Sequence, residues 1–227
     1  MIGDVQQKEM DVLDAVDGYC ERLGPGLWAE PLNALTNLAF LIAAAVMWRR
    51  AGPDRMGQAL ALALAVIGVG SGLFHTFANR LTGLMDVLPI LGFILLYLFA
   101  SSRDLLGLRT PVALVATLAF LPYAALTVPL WSRVPGLGSS AGYMPVPVLI
   151  LFYAWLMRGR SASTARGLAI GAGILLLSLL ARTMDGPLCA RWPAGTHFLW
   201  HILNAGMLAW MILVYLRFRE GISRTPR

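Results

Sequence analysis

Apolar residues gather in seven runs, at about 32–48, 57–78, 83–101, 111–131, 143–157, 166–182 and 196–217, with charged residues concentrated between them. Most runs approach the roughly 20 residues that a helix needs to cross a bilayer. The pattern predicts an all-α bundle of seven transmembrane helices occupying residues 32–217. The fifth run is the shortest; it opens near Tyr143 and carries Pro145 and Pro147 in its first turn, where proline is tolerated. Ahead of the bundle, residues 1–31 form a polar, acidic segment with Asp4, Glu9, Asp11, Asp14, Asp17, Glu21 and Glu30 against Lys8 and Arg22. This segment lacks the basic start and early apolar core of a signal peptide. Behind the bundle, residues 218–227 read as a basic tail.

Composition agrees with a membrane protein. Hydrophobic residues make up 58% and charged residues only 13%, where a soluble domain has about 25% charged; mean hydropathy is +0.69. The formal charge of +6 does not point to nucleic acid, because the basic residues are scattered between apolar runs with no basic, aromatic cluster. They report topology instead. Of the 18 basic residues, 12 fall in the loops of one side, from Arg49 to Arg227, and 6 on the other, from Lys8 to Arg191. The bias predicts the amino terminus outside and the carboxy terminus in the cytoplasm, as seven crossings require. Lys8 is the only lysine, and this preference for arginine, with abundant Ala, Leu and Gly, is associated with GC-rich bacterial genomes. The expected location is therefore a bacterial inner membrane.

Candidate chemistry centres on three histidines, the only ones in the chain. His75 closes the pattern Ser71-Gly72-Leu73-Phe74-His75, and the others bracket His197-Phe198-Leu199-Trp200-His201. Residues four apart share a helix face about 6 Å apart along the axis, and neutral imidazole is the commonest protein ligand for zinc. On the predicted topology His75 ends the second helix, Asp86 opens the third and His197 opens the seventh, so all reach one leaflet, the outer one. Each residue also has an ordinary reading. A histidine near a helix end commonly serves as an interfacial hydrogen-bonding group, an acid in a membrane helix needs only a partner, and Ser71 among Gly68, Gly70 and Gly72 suits close packing. The alignment of Ser71 with His75, and of two histidines on one apolar helix, favours a metal site.

In order along the chain, Tyr19-Cys20-Glu21, Glu30-Pro31-Leu32-Asn33, Asn37, Gly70-Ser71 through His75, Asp86 with Pro89, and His197 with Trp200-His201 resemble the alkaline ceramidase family. That family belongs to the seven-helix membrane hydrolases that also include the adiponectin receptors. The resemblance implies that His75, His197 and His201 bind zinc, leaving a position open for water, that Asp86 acts as general base, and that Ser71 hydrogen-bonds the water or the developing oxyanion. The implied reaction is hydrolysis of the amide of ceramide or a related N-acyl membrane lipid. Asn204, three residues after His201, is a candidate acceptor behind a histidine ligand; it could equally bridge helices. The resemblance also implies a calcium site near the first helix, built from Glu21, Glu30 and Asp17. Here the chain departs from the family, with Gly18 directly before Tyr19, Asp17 displaced by one position and Leu23 where the family has asparagine.

Cys20 and Cys189 both fall on the outer side of the predicted topology. Each can be a small apolar residue, or the two can pair in an oxidising compartment; pairing would tie the amino-terminal segment to the loop before the seventh helix. Gly167, Gly171 and Gly173 suggest close helix packing. The stretch Pro135-Gly136-Leu137-Gly138-Ser139-Ser140 reads as a flexible connection, and Arg182 and Asp185, three apart, as a local ion pair. Two competing readings differ in class. A lipid-sensing receptor would use the same scaffold, whereas a transporter would show inverted halves and broken mid-membrane helices; here the polar residues cluster at one end instead. Cleavage of another lipid ester or amide is the nearest chemical alternative.

Overall fold

The computed structural model describes residues 11–223. Asp4, Lys8, Glu9, Arg224 and Arg227, which entered the charge reading, lie outside the described residues. Seven helices are long and apolar enough to cross a membrane: a first span Pro31–Ala51, a second Arg55–Phe77, a third Arg80–Leu105, a fourth Thr110–Trp131, a fifth Gly138–Met157, a sixth Ala162–Thr183 and a seventh His197–Gly221. Each apolar run of the sequence corresponds to one span. The fold is all-α, and among the described residues the one isolated bridge pairs Ala15 with Asn79. The seventh helix continues to Ser223 and so runs past position 217, where the tail is expected to begin.

Local residues set the helix starts. The Asp54 carboxylate accepts the Gly57 amide at 2.8 Å, satisfying one of the orphan donors of a helix N-terminus. Asn79 and Thr82 form a reciprocal capping box, which starts the third span at Arg80. Asp86 therefore lies nearly two turns inside this helix, level with Ser71, rather than at its opening. Only Ala78 and Asn79 join the second span to the third. Ala78 takes a φ of +40°, a left-handed geometry costing a non-glycine residue roughly 1–2 kcal/mol. The amino-terminal segment holds this turn: Val16 N–H donates to the Ala78 carbonyl at 2.7 Å, and the Arg80 and Leu81 amides donate to the carbonyls of Asp14 and Val12 at 3.2 and 2.8 Å.

The connection before the fifth span differs from expectation. Gly136 and Gly138 do adopt positive φ, but residues from Gly138 onward wind into a 3₁₀ helix, Gly138–Tyr143. Two hydroxyls anchor it to the sixth span: Arg182 donates to Ser139 Oγ at 2.5 Å and Thr183 to Ser140 Oγ at 2.8 Å. What reads as a flexible loop is thus fixed at its second half.

The seventh span is the hub, packed against the first, second and sixth, while the fourth is the least buried. A helix apolar all round belongs at such a centre. Gly167 and Gly171 let the seventh span approach the sixth, since a Cβ at either would meet Val214 or Met211; Gly173 faces open space. The second and third spans approach still more closely at Gly70, where a Cβ would overlap the Met85 carbonyl. Met85 precedes Asp86 and Gly70 precedes Ser71, so this one backbone contact sets the spacing of both polar residues. Gly70→Ala is expected to cost about 1–3 kcal/mol, as overpacking does, because backbone rather than a flexible side chain must move. Thermal unfolding in detergent checks this; a midpoint matching the wild type contradicts it.

Candidate metal centre

His75 from the second span and His197 and His201 from the seventh converge, all buried. One ring nitrogen from each lies within 4.8 Å of the others, and among the described residues no other cluster of His, Cys, Asp or Glu could hold a metal. His197 and His201 face His75 together because they sit one helical turn apart.

Two of the rings have fixed tautomers. His75 Nδ1 lies 2.5 Å from Glu30 Oε2, so Nδ1 carries the proton and donates to the carboxylate. The Thr36 hydroxyl lies 2.9 Å from His201 Nδ1 and 2.8 Å from the Leu32 carbonyl. The Asn33 backbone also hydrogen-bonds His201, and a carbonyl only accepts, so His201 Nδ1 carries the proton and the Thr36 oxygen accepts from it while its own proton serves the Leu32 carbonyl. In both rings the Nε2 lone pair is left free, and both Nε2 atoms are buried without a hydrogen-bond partner, as is His197 Nδ1. Buried polar nitrogens without partners are costly, and three clustered imidazoles that each carry one such nitrogen have the donor chemistry of a zinc site. The residues present fit such an ion.

Glu30 is the pivot behind His75. Its other oxygen accepts from Arg22 Nε at 2.5 Å, and Arg22 also donates to the Gly24 and His75 carbonyls. Burial favours the neutral carboxyl, but the hydrogen bonds from His75 and Arg22 and the charge of Arg22 prevail and hold Glu30 below the usual carboxylate range. The neighbouring Glu21 carboxylate accepts the Leu32 and Asn33 amides at 2.6 and 2.8 Å. It thus caps the first span, whose Pro31 has no amide to offer. Asp17 is exposed. Of the three acids expected to bind calcium, Glu21 caps a helix, Glu30 holds an arginine and a histidine, and Asp17 faces solvent.

Ser71 is buried and its hydroxyl is in hydrogen-bonding reach of the half-buried Asp86. The Asp86 carboxylate also interacts with His75 and Arg182, so it lies beside the histidine cluster. Arg182 does not pair with Asp185. Its guanidinium lies 5.3 Å over the Tyr143 ring and 5.7 Å over Trp200, because the sixth span ends at Thr183 and Asp185 begins a separate turn. Asp185 is buried and accepts three backbone amides, Cys20 at 3.0 Å, Thr196 at 2.7 Å and His197 at 2.9 Å. It thereby caps the seventh span at its first residue, a metal-ligand candidate. Gly195, with φ +63°, passes so close that a Cβ would overlap this carboxylate.

Cys20 and Cys189 form a disulfide with a Cα–Cα distance of 5.4 Å, tying the amino-terminal segment to the loop beside Asp185. Tyr19, next to it, stacks on His197 with ring centroids 3.8 Å apart. Burial pushes its phenol up to about 12, with Arg182 opposing, so Tyr19 covers the site as a neutral ring.

Asn204 does not serve as the acceptor behind a histidine: its Oδ1 is buried without a partner, and Thr36 reaches His201 from across the helix interface. Nothing in the sequence marks Thr36, Arg22 and Asp185 as parts of the centre, because each reaches it from a different segment. Thr36→Val removes the side-chain acceptor on His201 Nδ1, leaving the Asn33 backbone as its remaining partner. It is expected to weaken metal affinity by about 10–100-fold, as loss of such a partner does. Competition with a chelator measures this; an affinity equal to wild type contradicts the assignment.

Against known proteins, the ceramidase family model matches residues 20–225. No curated protein matches the chain.

Proposed function

Because the chain belongs to the ceramidase family over nearly its whole length, we propose that it is a zinc-dependent membrane amidohydrolase that cleaves the amide of ceramide or a closely related N-acyl lipid. The observation that carries this reading is the buried histidine triad, with two tautomers fixed by Glu30 and Thr36 and Asp86 beside it. Three imidazoles are a donor set that zinc takes in catalytic sites with a position left open.

His75, His197 and His201 would hold the ion, which supplies Lewis acidity that polarises the scissile carbonyl and acidifies the attacking water. Asp86 takes the proton of that water as its oxygen bonds to the carbonyl carbon. It then delivers the proton to the amine nitrogen as the C–N bond breaks, so that water and amide leave as fatty acid and free amine. Ser71 donates to the Asp86 carboxylate at rest. Once Asp86 is protonated, that demand ends and the hydroxyl can turn its proton to the oxygen where negative charge develops. Thr36 and Glu30 keep the imidazoles oriented, and Tyr19, tied down by the disulfide, covers His197.

The depth of the site suits a lipid amide. His75 lies two residues before the end of the second span and Asp86 six after the start of the third, about 3 and 9 Å inside the helix ends at 1.5 Å per residue. A lipid amide just below the headgroups meets this level, and the apolar outer faces of the spans allow sideways entry.

The test is to incubate purified protein with ceramides, glycerolipid esters and other N-acyl lipids, measuring fatty acid release with and without a zinc chelator. Chelator-sensitive release from ceramide, absent from His201→Ala, is expected. Release that survives chelation, or that favours esters over amides, overturns the zinc amidohydrolase reading.

A further inference from the structure

At the end of the bundle opposite the histidines, a cavity of about 510 Å³ opens between the start of the sixth span and the end of the seventh. Its position follows from helix length: Arg217 lies 16 residues beyond His201 on the same helix, about 24 Å at 1.5 Å per residue. It therefore faces the other leaflet and cannot be part of the metal centre.

Arg160, Arg166 and Arg217 line this cavity and no acidic residue does. Arg160 is held in place by a hydrogen bond from Nη1 to the Leu106 carbonyl, at 2.5 Å. Arg217 lies 5.8 Å over the Trp210 ring, and that indole is itself fixed by donating to the Gly167 carbonyl at 2.8 Å. Among the described residues Arg166 has no hydrogen-bond or ion-pair partner. Three guanidinium groups around one hollow repel one another unless an anion sits between them, and guanidinium matches phosphate with paired N–H donors. The remaining wall is apolar, formed by Ile170, Val214 and Phe218. A free phosphate ion would gain nothing from that wall, whereas the glycerol and first acyl carbons of a lipid would.

We propose that this cavity binds the headgroup of an anionic phospholipid, with phosphate among Arg160, Arg166 and Arg217 and the chain roots against the apolar wall. The site is independent of the hydrolytic reading and is tested without any activity.

Binding is measured by lipid-dependent thermal shift and native mass spectrometry of the detergent-purified protein. The probes are phosphatidylglycerol, phosphatidylcholine and inorganic phosphate; the variants are Arg166→Gln and Arg166→Gln with Arg217→Gln. The single variant removes a side chain that holds no partner among the described residues, so it remains informative if the double variant folds poorly. The expected result is preferential binding of phosphatidylglycerol, weakened about fivefold for each arginine removed, the worth of one basic side chain at an anionic membrane surface. Millimolar phosphate should not displace the lipid. Equal binding of the two lipids, unchanged binding by Arg166→Gln, or displacement by phosphate overturns the proposal.

Discussion

Asp86→Asn lowers the turnover of the amide substrate by about 10²–10⁴-fold, the usual worth of a positioned general base, while metal content and thermal stability stay at wild-type levels. The reason is chemical rather than steric. Asparagine fills the same space beside Gly70 and Met85 and still accepts a hydrogen bond from Ser71, but it cannot take a proton from water and hand it to a departing amine. The histidine triad is complete without Asp86, so the ion should not be lost with the carboxylate. Turnover and metal content measured on one preparation separate these effects. A variant within tenfold of wild type shows that another group moves the proton.

Glu30→Ala destabilises the protein by about 3–5 kcal/mol, the usual cost of leaving one partner of a buried ion pair uncompensated. Glu30 is 2% exposed and Arg22 6% by side chain, and the same truncation strips His75 Nδ1–H of its acceptor. A paired replacement distinguishes the two roles. Arg22→Met with Glu30→Leu removes both charges and should recover most of the stability, yet its metal affinity should stay about 10–100-fold low, because His75 still lacks an oriented partner. Stability close to wild type in Glu30→Ala, or full metal affinity in the double variant, contradicts this account of Glu30.

The sequence exposes those parts of the architecture that depend on residues near one another in the chain. Seven apolar runs become seven spans because hydropathy alone decides which segments leave water, and His197 and His201 share a face because helical periodicity puts them there. Cys20 and Cys189 could be placed on one side by topology, and they are bonded. The supporting residues of the centre are less legible, since they come from elsewhere. Asn204 lies one turn from His201 on the same helix, but the side chain that meets His201 Nδ1 is Thr36, on a different helix. Asp185 reads as the neighbour of Arg182, yet a helix break between them turns its carboxylate to the amides of Thr196 and His197. The acids near the first span suggest calcium by type; only their partners reveal Glu21 as a cap and Glu30 as the seat of Arg22. No periodicity announces a contact between an irregular amino-terminal segment and the ends of helices.

The most direct test of the central claim is metal titration of protein stripped by chelator, following bound zinc and ceramide hydrolysis together. The account predicts that stripped wild type is inactive, that activity returns in proportion to zinc and saturates at about one ion per chain, as one set of three histidine ligands requires, and that His75→Ala neither binds that ion nor recovers. Undiminished hydrolysis by the stripped protein, or tight zinc binding retained by His75→Ala, would contradict it.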